Sequence, residues 1–168
     1  ILTPEIANPD DDLICSFTIQ DLDPTDALNV DYAWIENDAA QPSETIQVDS
    51  MTPQQLTLSS TDTVYGDKLQ CNITVYDSET TLDTAYSNEV VICNVNLTTD
   101  LFMEHDMLGC PDNGVIIGAA NVALDCQGHN ISGENIGVLN DGFDNFTINN
   151  CTLTSFQTGV EIISVDNG

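Results

Sequence analysis

Along residues 1–92 apolar and polar side chains alternate in short runs. Leu13-Ile14-Cys15-Ser16-Phe17-Thr18-Ile19 is one. Val30-Asp31-Tyr32-Ala33-Trp34-Ile35, Gln55-Leu56-Thr57-Leu58, Leu69-Gln70-Cys71-Asn72-Ile73-Thr74-Val75 and Asn88-Glu89-Val90-Val91-Ile92 are the others. A period of two puts successive side chains on opposite faces of a strand, so each run predicts a half-buried β-strand. Between the runs lie clusters of Asp, Pro, Ser, Thr and Asn, the residues of turns. No stretch carries a 3.6-residue period. Regularly spaced strands without helices predict an all-β sandwich.

Three residues sharpen this. Cys15 falls in an early run, Trp34 in the next and Cys71 in a late one. That is the immunoglobulin arrangement, in which a disulfide between two sheets packs on a buried indole. Closing so long a loop is worth roughly 4 kcal/mol by chain entropy. Leu69 occupies the position two before Cys71 where antibody domains carry a tyrosine. The expected module over residues 1–92 is therefore immunoglobulin-like or PKD-like and not antibody-type.

The remainder repeats. Gly-Val pairs open at Gly114, Gly137 and Gly159, and Asn recurs at 121, 145 and 167. A period of this length, with strands of a few residues and Gly or Asn at corners, fits one coil of a parallel β-helix. Residues 93–168 then hold two to two and a half coils of a right-handed parallel β-helix. Its inward stacks should be Val115/Val138/Val160, Leu124/Ile148 and Ile131/Leu153.

The segment from Asp106-Met107-Leu108-Gly109-Cys110 to Leu124-Asp125-Cys126-Gln127-Gly128-His129-Asn130-Ile131-Ser132-Gly133 resembles the first coil of NosD-like right-handed β-helix repeats. Asn145-Phe146-Thr147-Ile148-Asn149-Asn150-Cys151 continues the likeness. Such repeats occur in large archaeal and bacterial cell-surface proteins, often beside immunoglobulin-like or PKD-like modules. The resemblance implies a surface location more than an activity.

Charge narrows the partners. Asp and Glu number 28 against a single basic residue, Lys68, for a net charge of −27. Such a chain repels nucleic acid and anionic lipid and suits high salt, divalent cations or a hydrated surface. Asp21, Asp23 and Asp26 have the spacing of calcium ligands, although they lack the glycine and closing glutamate of an EF-hand. Calcium is the one candidate cofactor, and a solvated turn is the alternative reading of these three residues.

Six cysteines without a Cys-x-x-Cys pair favour disulfides over zinc and point to an extracellular setting, on a cell surface or secreted. Any export signal or anchor lies outside these residues. The expected bridges are Cys15–Cys71, Cys93–Cys110 and Cys126–Cys151, although the four cysteines beyond the sandwich allow three pairings. Five Asn-x-Ser/Thr sequons begin at Asn72, Asn96, Asn130, Asn145 and Asn150. Glycans are expected at the first four. Asn150 should be bare, because it falls at an inward coil position before a bonded cysteine.

Catalysis finds little support. Polysaccharide lyases built on β-helices need a basic residue, and the one lysine lies in the sandwich. Inverting hydrolysis needs two carboxylates about 6.5–9.5 Å apart, and Asp125, Asp141, Asp144 and Glu161 stand in no recognisable motif. His105 and His129 read as structural. The expected function is therefore a structural or adhesive surface protein of an envelope layer, sheath or filament, and not an enzyme. The alternative is the stalk of a carbohydrate-binding or carbohydrate-cleaving β-helix, for which Phe143, Phe146 and Phe156 supply no shared repeat position. An uncovered C-terminal coil edge calls for further coils or another copy, and Ile1-Leu2-Thr3-Pro4 reads as a short unpaired strand.

Overall fold

The computed structural model describes residues 1–20, 28–77 and 80–163. The chain packs as two compact units. The first comprises Ile1–Glu5, Asp10–Asp62 and Asp67–Val90; the second comprises Ile6–Pro9, Thr63–Gly66 and the chain from Val91 onward. Both are all-β, apart from a 3-10 turn at Ser60–Asp62 among the described residues.

The first unit is a two-sheet sandwich. Its strands are β1 (Leu2–Thr3), β2 (Leu13–Phe17), β3 (Leu28–Glu36), β4 (Ala39–Ala40), β5 (Glu44–Val48), β6 (Gln54–Leu58), β7 (Lys68–Asp77) and β8 (Thr80–Tyr86), with a short β9 (Val90–Val91) pairing β7. One sheet runs β1-β2-β6. The other runs β4-β3-β7-β8, with β5 also on β3. The Cys15–Cys71 bridge joins β2 to β7 and so ties sheet to sheet. Leu13, Cys15, Leu28, Val30, Trp34, Leu56, Leu69 and Cys71 are all buried, as alternation requires. This is the immunoglobulin-like arrangement expected.

Two features depart from the sequence pattern. β5 and β8 form from Glu44-Thr-Ile-Gln-Val and Thr80-Thr-Leu-Asp-Thr-Ala-Tyr, which the alternation did not single out. And Ile1–Pro4 is not unpaired. Leu2 and Thr3 pair with Cys15 and Ile14, and Leu2 is fully buried. The Asn88 side chain accepts from Leu2 N–H at 2.7 Å and donates to Leu2 C=O at 3.0 Å. Burial of one leucine with its backbone satisfied outweighs any tendency of so short a segment to fray.

The β3–β4 hairpin turns on Asn37 and Asp38, at φ 51° and 67°. Two successive left-handed residues make the two-residue turn whose twist matches the strands. Lys68 braces it. Its ammonium lies 3.0 Å from both Asp38 Oδ1 and Glu89 Oε2, and these carboxylates, Asp38 first, raise its pKa.

The second unit is a parallel β-solenoid of three turns and one further strand. The turns are β10 (Val95–Leu97), β11 (Leu101–Phe102) and β12 (Met107–Cys110); β13 (Val115–Ile117), β14 (Ala123–Asp125) and β15 (Asn130–Gly133); β16 (Ile136–Asp141), β17 (Thr147–Asn149) and β18 (Thr152–Thr154). Strand β19 (Thr158–Ile163) follows. The three sheets stack as β10-β13-β16-β19, β11-β14-β17 and β12-β15-β18. The inward rows are Val95/Val115/Val138/Val160, Leu101/Leu124/Ile148 and Met107/Ile131/Leu153. They contain the three stacks expected and extend each by one rung. The count of two to two and a half coils was therefore too low. The first turn lacks the Gly-Val pair: Asn94 precedes Val95, and the repeat pattern does not register it.

Glycines admit an aromatic ring. A Cβ on Gly133 would lie 2.5 Å from the Phe156 ring and 2.5 Å from Cys110 C=O. A Cβ on Gly137 would lie 3.0 Å from the same ring. Phe156 thus fills the corner after β18, against the solenoid core. Cys93–Cys110 closes the first turn, and Cys126–Cys151 ties the second turn to the third.

Candidate functional site

Chemistry-bearing side chains of the solenoid gather at the corner preceding β12 and β15. His105 and Asp106 end the loop before β12; His129 and Asn130 stand one turn later. Asp106 Oδ1 accepts from Asn130 N–H at 2.9 Å and from His129 Nδ1–H at 3.1 Å. These donors, the backbone N–H first, hold its carboxyl below the usual value of 3.8. Beside it the His105 ring stacks on Tyr65, with centroids 4.8 Å apart and planes 16° from parallel. His105 Nε2–H donates to Tyr65 C=O at 2.6 Å, and Tyr65 Oη accepts from Glu104 N–H at 3.0 Å.

Every hydrogen bond here joins one turn to the next, or the 63–66 segment to the first turn. Both histidines take part in these ties. Tyr65 and Asp106 were not singled out from the sequence. One signal existed: Asp106 and Asn130 are spaced like Asn121 and Asn145, which the register of Met107 with Ile131 reproduces.

The four acidic candidates of the solenoid lie on β14, β16, the β16–β17 connection and β19. Asp125 Oδ1 accepts from Gln127 N–H at 2.9 Å and Asn150 Nδ2–H at 3.2 Å, so it shapes a turn. Asp141 is exposed at the end of β16, Asp144 is exposed on the connection to β17, and Glu161 lies on β19 beside Leu139. Asp21, Asp23 and Asp26 lie outside the described residues. Among the described residues no cluster of three or more His, Cys, Asp or Glu is arranged to hold a metal ion.

The sequons fall in different settings. Asn72 is half-buried on β7, between β3 and β8. Asn96 is exposed on β10, with its carboxamide lying where a Gly118 side chain would be. Asn130 is half-buried at the start of β15. Asn145 is exposed at a corner, φ 58°, donating from Nδ2 to Asn121 Oδ1 at 3.3 Å. Asn150 is not inward: it too is exposed, at φ 52°. The left-handed corner turns the side chain outward, against the inward coil position expected for it.

Phe143 is exposed, and Phe146 and Phe156 are half-buried against the core at different points of the coil, so these rings form no common row. In the sandwich, a hollow of about 580 Å³ is bordered by Ile1, Phe17, Pro53, Ser16, Gln54 and Gln55. No helix among the described residues is long and apolar enough to cross a membrane. No protein-family model, curated protein or solved structure matches the chain.

Proposed function

We propose that this chain is an extracellular structural or adhesive surface protein, a non-catalytic subunit of an envelope layer, sheath or filament. One observation carries the reading: all six cysteines pair, in three bridges. Cys15–Cys71 spans the two sheets, Cys93–Cys110 closes the first solenoid turn and Cys126–Cys151 ties the second turn to the third. Solenoid turns touch only their neighbours, so they peel from an end. A covalent tie between turns opposes that, and such ties persist where the surroundings are oxidising. The acidic surface keeps the exposed faces hydrated.

Assembly through the solenoid edge belongs to the same proposal. Strand β19 is last in its sheet among the described residues and exposes Val160, Ile162 and Ile163. Further coils of a longer parent, or another copy, would cover these side chains. Immunogold labelling of intact source cells, together with protease shaving, tests the location. Surface label and release of the chain by external protease are expected. Label confined to the cell interior, or six titratable thiols in freshly isolated protein, would overturn the proposal.

A further inference from the structure

We propose that Asn150 is an N-glycan acceptor, paired with Asn145 across β17, and that it is modified before the Cys126–Cys151 bridge closes. This rests on the extracellular reading above.

Asn150-Cys151-Thr152 is a sequon. Its geometry repeats that of Asn145. Both asparagines are exposed, both sit in the left-handed region at corners flanking β17, and each gives one Nδ2–H to the turn below. The acceptors are Asp125 Oδ1 for Asn150 and Asn121 Oδ1 for Asn145. A carboxamide has two N–H groups. A glycan replaces one of them, and the other keeps the bond between turns. Thr152, the third sequon residue, is also exposed. By contrast, Asn72 and Asn130 are half-buried within or at strands.

The order of events follows from Cys151. In the folded coil Cys126 N–H donates to Asn149 C=O and Gly128 N–H donates to Asn150 C=O, each at 2.9 Å. Cys126 itself is fully buried. Once the bridge forms, the tripeptide is fixed against the second turn and cannot bend its hydroxyl toward its carboxamide for a transferase. In the transfer, Asn150 Nδ2 bonds to C1 of a sugar carried on a polyprenyl diphosphate. The C1–O bond breaks, the diphosphate leaves with the electron pair, and one amide proton is lost to a basic group of the transferase.

Asn145 and Asn150 are five residues apart, so their Cα atoms stand at most about 17 Å from one another. Between them lies the outer row Phe102, Asp125 and Asn149, with Phe102 57% exposed. Paired glycans would cover that row.

The test expresses residues 1–168 behind a secretion signal in a glycosylating eukaryotic host. Glycopeptide mass spectrometry reads occupancy at each sequon. Expected are a glycan at Asn150 in the secreted chain, loss of one glycan's mass in N150Q and in T152V with Asn145 unchanged, and higher Asn150 occupancy when mild dithiol in the medium slows bridge closure. A bare Asn150 in secreted protein overturns the proposal, whether or not other sequons are filled. Occupancy unaffected by dithiol overturns the ordering. Free-thiol titration of the same sample judges the extracellular reading separately, because a secreted chain with open thiols counts against that reading whatever Asn150 carries.

Discussion

Trp34 on β3 and Cys71 on β7 are direct register partners, both buried in the sandwich whose sheets the Cys71 bridge joins. The pairing puts the largest side chain of the core beside its covalent tie. Trp34→Ala should destabilise the first unit by about 3–5 kcal/mol through the cavity it leaves. Urea unfolding followed by circular dichroism measures it. A change below about 1 kcal/mol would show that the indole is not central to the core.

The Phe156 corner predicts a graded glycine series. Gly133→Ala forces Cβ onto both a carbonyl and the ring and should cost about 1–3 kcal/mol. Gly159→Ala meets nothing within 4 Å and should be nearly neutral. Adding Phe156→Ala to Gly133→Ala should not restore stability, since the Cys110 carbonyl stays in place. Thermal melts of the unaltered protein and the three variants decide this. Recovery in the double variant would mean the ring alone sets the limit.

Asp106 gives a pH dependence of defined sign. Its folded pKa is lowered from 3.8, so the native state binds that proton more weakly than the unfolded chain. The contribution is complete above the ordinary value and is lost as pH falls through the lower folded one. Comparison with Asp106→Asn removes the effect of the other carboxylates. The melting-temperature gap between the two proteins should be constant from pH 7 to about 5 and should close below about pH 4. A gap that widens in acid would contradict the assignment.

Salt and calcium separate two effects of the acidic surface. With a net charge of −27, self-repulsion should weaken as the screening length falls from about 30 Å at 0.01 M to about 8 Å at 0.15 M salt, and the melting temperature should rise. If Asp21, Asp23 and Asp26 bind calcium, millimolar calcium should raise it further than chelator at equal ionic strength. Identical melts in calcium and chelator would remove calcium from the account.

Much of the architecture was written in local, repeated signals. Alternation placed β2, β3, β6 and β7, because a half-buried strand must show a period of two. Cys15, Trp34 and Cys71 marked the two-sheet core. The spacing of the Gly-Val pairs set the rows through Val138 and Val160, because a one-residue slip would turn a buried row outward. Contacts between residues far apart in the chain were decided only by the tertiary structure. Leu2 finds Cys15 and Asn88; His105 finds the Tyr65 ring; Phe156 occupies the space left by Gly133. The first solenoid turn emerges from its stacking on β13, β14 and β15 and not from any repeat signature of its own. Asn150 shows the limit most sharply. The repeat gives Asn150 a place in the coil, but at positive φ the corner turns its side chain outward, and only the folded chain shows which corners do so.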